Sequence, residues 1–185
     1  MKFYYPVKPY KVNQKWGVYR PEVYSQFGFT QHNGEDVALG TDKYVYAPFN
    51  CEVLKIGNQP NGGGIFCGVI STEQTEKGRV LLDILHCEKI LCEVGKTYKA
   101  GDKLAIADNT GFSTGPHTHF QYRWVSYDGK QITTLEKNDA NNSFDIVPYF
   151  TGDYAEDIWK LKQSILTLTI EFLKLKVALL LKQIK

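Results

Sequence analysis

The feature that most constrains the fold of this chain is a series of short β-prone segments between residues 44 and 124. Each segment is rich in Val, Ile, Leu, Phe and Tyr and is separated from the next by Gly, Asn, Asp or Pro, a pattern that predicts strands joined by turns. The predicted strands span residues 44–47, 51–56, 65–71, 80–86, 97–98, 103–107 and 117–124. Short strands at this spacing favour an antiparallel sandwich or a partly closed sheet over a doubly wound α/β fold.

The composition of the 185-residue chain fits one folded domain with an appendage. With 43% hydrophobic residues it can bury a sizeable core, so global disorder is not expected. The formal net charge is only +2, and this near balance predicts no nucleic-acid partner. Residues 1–6 lack the apolar region of a secretory signal peptide, and no uncharged apolar run reaches the ~18 residues that a membrane-spanning helix needs.

The cysteines are too few for a disulfide scaffold in a chain of this length, and their spacing matches no standard zinc ribbon. They are Cys51, Cys67, Cys87 and Cys92. We predict four free thiols that pack as small hydrophobes. Zinc binding by these cysteines is the alternative.

The composition changes after Phe150, where turn residues give way to Leu, Ile and Lys. Apolar residues then alternate at spacings of three and four, which predicts a helix with a heptad-like stripe: Ile158, Leu161, Ile165, Leu168, Phe172, Leu175 and Leu179. We therefore divide the chain into a domain at 1–150 and a basic amphipathic C-terminal helix at 151–185. Self-association or docking on a partner is expected of this helix, with folding onto its own domain or contact with an anionic membrane surface as alternatives.

The four histidines fall in segments that the fold could bring together. His117 and His119 lie two apart in the last predicted strand, so their imidazoles project from one face of the sheet. His32 and Asp36 are separated by a glycine-containing segment, which favours a turn or an irregular stretch over a helix. His86 ends the fourth predicted strand. These residue types are the ones that a metal-dependent hydrolase needs.

Two histidines and one aspartate form a suitable ligand set for zinc. Zinc accepts imidazole nitrogen and carboxylate oxygen, and catalytic zinc sites use three protein ligands and leave a fourth position for water. With one carboxylate the centre keeps a net charge near +1, which lowers the pKa of a bound water toward ~7. A lone His-x-His is more often a surface or core feature, but together with His-x-x-x-Asp and a third histidine it favours a metal site. The His-Glu-x-x-His helix of other zinc peptidases is absent.

Four motifs, in order along the chain, resemble those of the lysostaphin-like (LytM-type) zinc metallopeptidases. They are His-Asn-Gly-Glu-Asp-Val-Ala at 32–38, Val-Tyr-Ala-Pro at 45–48, the segment 95–105 that begins with Gly95 and ends in Gly-Asp-Lys-Leu-Ala, and Thr-Gly-Phe-Ser-Thr-Gly-Pro-His-Thr-His-Phe at 110–120. The resemblance runs from about residue 11 to about residue 149. It implies a mainly β fold, a twisted antiparallel sheet core with a groove across it, to which this chain adds a C-terminal α-helix.

The resemblance also implies a role for each site residue. His32, Asp36 and His119 would bind zinc (Zn²⁺). His86 and His117 would orient or deprotonate the attacking water and stabilise the oxyanion of the tetrahedral intermediate. Histidine suits this work because its pKa near ~6.5 permits proton exchange at neutral pH.

The chain departs from the common family pattern at four positions without losing a ligand. Where many relatives have Tyr-x-His-Leu, this chain has Ile84 and Cys87 in place of the tyrosine and the leucine, and the loss of the tyrosine removes a possible phenolic neighbour of the catalytic histidine. Thr118 and Gln121 stand where leucine and glutamate are common. These departures bear on rate and substrate preference.

The resemblance predicts a zinc-dependent endopeptidase that cuts peptide crosslinks of bacterial peptidoglycan. One alternative is a noncatalytic cell-wall or partner-binding module of the same fold, and another is a component of a phage tail or lysis assembly. The expected place of action is the cell wall. Delivery would then depend on a phage particle, a lysis system, a partner or a leader outside this sequence.

Overall fold

The structure is a computed structural model that describes residues 1–135 and 142–183. In this part of the chain there are two α-helices, α1 (Pro21–Tyr24) and α2 (Ala155–Gln183). The strands are β1 (Phe3–Tyr5), β2 (Val12–Gln14), β3 (Glu35–Ala38), β4 (Tyr44–Tyr46), β5 (Cys51–Gln59), β6 (Gly64–Ser71), β7 (Arg79–Ile90), β8 (Thr97–Tyr98), β9 (Lys103–Ala107), β10 (His117–Tyr127), β11 (Ile132–Thr134) and β12 (Phe150–Tyr154). Positions 184 and 185 of the predicted helix lie outside the described residues.

The mainly β fold predicted from the sequence is confirmed, and β4 to β10 match the seven predicted strands. The other five strands have three to five residues each and lie outside the series of apolar segments and turns between residues 44 and 124 from which the strands were predicted. β12 pairs in parallel with β1. For that reason the C-terminal helix begins at Ala155 rather than at residue 151.

One large antiparallel sheet carries the fold. Its main path runs β2-β3-β10-β7-β6-β5-β8, with β11 beside β10 and with β9 joining β4 to β7. Alternate residues of β10 face the core, where Phe120, Tyr122 and Trp124 are almost fully buried. Their burial contributes about 1.5–3 kcal/mol per side chain. The intervening residues of β10 face the opposite side of the sheet, where the candidate site lies.

The four cysteines are free and buried, as predicted. All belong to the same apolar core as the aromatic residues of β10. Burial raises the pKa of the Cys51 thiol to about 12 and that of the Cys87 thiol to about 12. Both groups are therefore uncharged packing elements at neutral pH.

The first two turns of α2 pack against the β domain. Ala155 is buried, the Trp159 ring lies 6.2 Å from the Tyr46 ring, and Lys162 Nζ lies 3.1 Å from Asp102 Oδ1. Beyond Lys162 the apolar side chains of the helix are exposed. Within the described chain, no helix has both the length and the apolar character needed to cross a membrane.

Two apolar stripes run along this exposed part of α2. The predicted stripe is present, and a second stripe is formed by Leu166, Ile170, Leu173, Val177 and Leu181. At 3.6 residues per turn the two stripes lie on nearly opposite sides of the helix. The large apolar residues from Leu161 to Leu181 are between 44% and 70% exposed, so neither stripe is covered by the β domain.

Candidate metal and catalytic site

The sheet register places the proposed metal ligands side by side. His119 of β10 pairs directly with Asp36 of β3, so their side chains emerge from adjacent strands on one face. His32 lies just before β3 in the irregular stretch that the sequence predicted. The structure thus brings together the three residues proposed to bind zinc.

Three ligand atoms of this group converge on one point. His32 Nε2 lies 3.2 Å from Asp36 Oδ1 and 3.1 Å from His119 Nδ1, and His119 Nδ1 lies 2.9 Å from Asp36 Oδ1. Tetrahedral zinc with ligands at about 2.0–2.1 Å separates its donor atoms by about 3.3 Å. The spacing of these three atoms is therefore close to that of a zinc site.

The hydrogen bonding of His32 also supports a metal site. His32 Nδ1 lies 2.9 Å from the carbonyl oxygen of Lys15. A carbonyl only accepts, so Nδ1 carries the proton and Nε2 presents its lone pair to the cluster. That lone pair faces the Asp36 carboxylate and the His119 ring, an arrangement that a cation at the centre would satisfy.

Burial and hydrogen bonding shift the pKa values of the cluster residues in opposite directions. Burial raises the pKa of Asp36, but its hydrogen bonds with His117, His119 and His32 outweigh that effect and hold the carboxyl pKa far below its ordinary value. Burial lowers the pKa of His119 despite its hydrogen bond with Asp36. An ionised aspartate and a neutral histidine are the protonation states that bind metal.

Gly34 keeps the space beside His119 open. A Cβ at position 34 would lie 2.5 Å from His119 Nε2 and 2.5 Å from the backbone oxygen of Phe120. Such separations are too short for any side chain. The glycine between His32 and Asp36 therefore allows the loop to pass against β10 and places both ligands near the third.

His86 and His117 lie next to the cluster, with ring centroids 4.8 Å apart. His86 Nδ1 lies 2.8 Å from the carbonyl oxygen of Thr110, and His117 Nδ1 lies 2.8 Å from that of Gly115. Each Nδ1–H therefore donates to a backbone carbonyl, which leaves Nε2 available. His117 Nε2 lies 3.4 Å from Asp36 Oδ1, which places it at the edge of the metal cluster.

His86 occupies an unusual backbone position. Its φ of 63° lies in the left-handed region, which histidine adopts more readily than most residues. The pairing of β7 with β6 and β9 shifts register on either side of this residue. Because the bulge interrupts strict alternation, both Leu85 and His86 line the groove, while Cys87 points into the core.

The two histidines differ in their titration. Burial lowers the pKa of His86 to about 4, so the ring is neutral at physiological pH. Burial also acts to lower the pKa of His117, but its hydrogen bond with Asp36 outweighs burial and the pKa is raised. The pair therefore offers one neutral imidazole and one that is more easily protonated.

The sequence did not single out several groove residues. Tyr24 of α1 stacks on His32, with ring centroids 5.6 Å apart, and supplies a phenol to the groove from a different element than the missing tyrosine at position 84. Lys55, Asp83 and Arg123 line the same groove. No local motif marks them, because they meet only through the pairing of strands far apart in sequence.

The Peptidase family M23 model matches residues 30–134, a segment that includes all five proposed site residues: His32, Asp36, His86, His117 and His119. The chain belongs to Peptidase family M23. The match extends over more than half of the chain and places the histidines of the groove within the family's own segment. The fold described above is thus that of an M23 peptidase domain.

Curated relatives of this M23 domain include a peptidoglycan DD-endopeptidase and lysostaphin. The chain is 37% identical over 90 residues to the peptidoglycan DD-endopeptidase ShyB of Vibrio cholerae, covering 49% of this chain and 20% of the relative. It is 30% identical over 90 residues to lysostaphin of Staphylococcus simulans, covering 49% and 17%. The chain thus matches about a fifth of the length of these relatives.

Solved structures share the fold. A zinc-containing peptidase from Vibrio cholerae aligns with a TM-score of 0.57 and 26% identity, covering 83% of this chain and 41% of that one. The catalytic domain of lysostaphin from Staphylococcus simulans aligns with a TM-score of 0.58 and 24% identity, covering 76% and 91%. The second alignment spans nearly all of the lysostaphin catalytic domain, and the 76% of this chain that it covers is about the length of the β domain.

Proposed function

We propose that this chain is a zinc-dependent endopeptidase that hydrolyses peptide crosslinks of bacterial peptidoglycan. The observation that carries the proposal is the convergence of the His32, Asp36 and His119 donor atoms beside His86 and His117 in one groove. Membership of family M23 and the named activities of the relatives support it. The proposed place of action is the cell wall.

The residues of the chain divide the work of the proposed reaction. Zinc held by the two histidines and the aspartate would supply Lewis-acid chemistry, polarising the scissile carbonyl and making water acidic. His86 and His117 each direct Nε2 into the groove, where one imidazole accepts the proton of the attacking water. The other ring, once it is protonated at Nε2, donates a hydrogen bond to the carbonyl oxygen as negative charge develops there.

The size and the lining of the groove suit a peptide ligand. Its volume is about 530 Å³. One wall carries Tyr24, Phe27 and Phe29, and Phe112 from the loop before β10 contacts Phe27 with ring centroids 5.3 Å apart. Aromatic walls bury apolar parts of a ligand and exclude water from the reacting centre.

Mass spectrometry of fragments released from defined, crosslinked peptidoglycan tests the proposal. The zinc-loaded protein is expected to cut a peptide bond, and His117→Ala is expected to release almost no fragment under the same conditions. Zinc binding without hydrolysis of any crosslink type would instead favour a noncatalytic binding module. A fully active His117→Ala protein would refute the catalytic role of that histidine.

For the C-terminal helix we propose self-association with further copies of this chain. The two stripes leave on the order of 1,000 Å² of apolar surface in water, more than the ~800 Å² per partner that a standard interface buries. A helix with apolar stripes on opposite sides can contact two neighbours at once. This arrangement favours a bundle of three or more helices over a dimer.

Light scattering on the full chain tests this second proposal. The wild type is expected to have a mass of at least three chains, and the double substitution Leu168→Lys with Leu175→Lys is expected to give the monomer. Thr167→Lys adds charge on the polar side of the helix and serves as the matched control. A monomeric wild type that binds anionic vesicles would favour the membrane alternative instead.

A further inference from the structure

A row of polar residues crosses the floor of the groove next to the metal cluster. Gln121 follows His119 at the next position on the same face of β10, and it pairs with Asp83 of β7. Asp83 pairs in turn with Gly68 of β6, and Gly68 with Lys55 of β5. The row therefore runs across four adjacent strands, away from the proposed ligands.

Two cations share a single carboxylate in this row. Asp83 is only 4% exposed and contacts Arg123 through Nη2. Lys55 Nζ lies 2.9 Å from Asp83 Oδ1, close enough for an ion pair although the two atoms are not aligned as a hydrogen bond. The group keeps a net charge of about +1, which is the sign that attracts an anion.

Gly68 allows Lys55 to reach the carboxylate. A Cβ at position 68 would lie 2.5 Å from Lys55 Cε and 2.6 Å from Asp83 Oδ1. Because Gly68, on the strand between them, has no side chain, the lysine stem crosses β6 at this position and its ammonium group reaches the floor of the groove. The Lys55 side chain remains 46% exposed, so it is accessible to a ligand.

Two donors beside this charge have no hydrogen-bond partner among the described residues. They are Gln121 Nε2 and Arg123 Nε, and Gln121 is only 5% exposed. A buried donor left without an acceptor costs about 1–3 kcal/mol. A ligand that brings acceptor oxygens to these atoms therefore removes that cost, and a carboxylate also matches the local positive charge.

We propose that Gln121, Arg123 and Lys55 form a subsite that binds a free carboxylate of the substrate peptide. Along β10, Gln121 and Arg123 lie about 7 Å and about 14 Å beyond His119 at 3.4 Å per residue. An extended peptide rises by a similar amount per residue, so the carboxylate lies about two to four residues from the scissile bond. The subsite selects acidic stem-type crosslinks over uncharged glycine bridges, and it rests on the peptidase function proposed above.

The test uses two synthetic crosslinked peptides of identical sequence, one with a free carboxylate and one with a carboxamide within four residues of the cleaved bond. The wild type is expected to cut the carboxylate peptide with a kcat/KM about tenfold higher. Lys55→Gln keeps the contact of Asp83 with Arg123 and is expected to reduce this preference to about twofold. Gln121→Glu places a negative charge beside the carboxylate and is expected to abolish the preference. Lys99→Gln, an exposed lysine outside the groove, serves as the control.

Binding measured by calorimetry separates failure of the subsite from failure of the proposed function. If the wild type cuts neither peptide but binds the carboxylate form about tenfold more tightly, the subsite stands and the peptidase assignment fails. Equal affinity and equal cleavage of the two peptides would overturn the subsite and leave the peptidase assignment intact. A preference that survives both Lys55→Gln and Gln121→Glu would also overturn it.

Discussion

Large apolar side chains are buried in the β domain but exposed on the part of α2 beyond Lys162. In the domain, Tyr46, Leu82 and Phe120 are at most 1% exposed, whereas on the helix Leu168 and Phe172 are 70% and 65% exposed. The core of the domain is completed within one chain, and the same packing holds the histidines of the groove in place. The apolar surface of the helix is completed only by another surface. The difference supports the two proposals made above, which assign catalysis to the domain and self-association to the helix.

The largest loss of activity is expected from Asp36→Ala, in the groove of the β domain. The substitution removes the carboxylate on which all three neighbouring histidines converge, so both the proposed metal site and the proton balance of the groove are lost. We expect kcat/KM on a crosslinked peptide to fall by at least about 10³-fold. Asp128→Ala, at an exposed turn, is the control, and comparable activity of the two variants would be inconsistent with a metal-dependent reaction in the domain.

A smaller loss is expected from Gly34→Ala. The added methyl group meets the His119 ring and a backbone carbonyl at 2.5 Å, and overpacking of this kind costs about 1–3 kcal/mol. The free energy of unfolding measured in denaturant should fall by that amount, together with zinc affinity. Gly62→Ala meets only ordinary contacts at 3.5 Å or more and should change neither; equal effects of the two substitutions would count against the close approach of the loop to β10.

The titration of His86 predicts a pH dependence of stability. Its pKa is lowered to about 4 in the folded protein, from about 6.5 when unfolded. Between these values the unfolded chain binds more protons, so the stability contributed by neutral His86 is present above pH 6.5 and is lost as the pH falls toward 4. The full loss is at most about 3 kcal/mol.

Comparison with His86→Gln isolates this effect. Denaturant unfolding of the wild type and of the variant should show a steeper decline of the wild-type free energy between pH 6.5 and pH 4. The glutamine does not titrate in that range, so its curve retains only the slope due to other groups. Parallel curves for the two proteins would show that His86 is not buried in neutral form.

The smallest effect is expected from substitutions on the helix. Because none of the described side chains of α2 beyond Lys162 lines the groove, Leu168→Lys with Leu175→Lys should change kcat/KM on a short soluble peptide by less than about twofold, whatever it does to the mass of the assembly. A tenfold loss of kcat/KM on that substrate would contradict the separate roles of domain and helix, since it would show that catalysis depends on the assembled state.

The parts of the fold that sequence predicted are those with local signals. The strands at 65–71 and 117–124 have the apolar content and flanking turn residues that mark a strand, and the stripe on α2 has a helical period. The short strand β12 has no such signal, because it exists only through its pairing with β1. For the same reason, the helix boundary could not be placed from composition alone.

In the candidate site, too, some features have a local sequence signal and others do not. His32, Asp36, His117 and His119 lie in local motifs and His86 ends a predicted strand, so all five could be proposed from the sequence. The stacking of Tyr24 on His32, the bulge at His86 and the ion pairs of Asp83 depend on register and on contacts between distant segments. Such contacts leave no mark in a short stretch of sequence.

The metal content of the purified full chain tests the central claim most directly. Elemental analysis of the zinc-loaded wild type, after removal of excess metal, is predicted to give one zinc per chain, and His119→Ala is predicted to retain less than about a tenth of that amount because catalytic zinc needs three protein ligands. One zinc per chain in both proteins would contradict the account, since the metal would then lie outside the cluster of His32, Asp36 and His119.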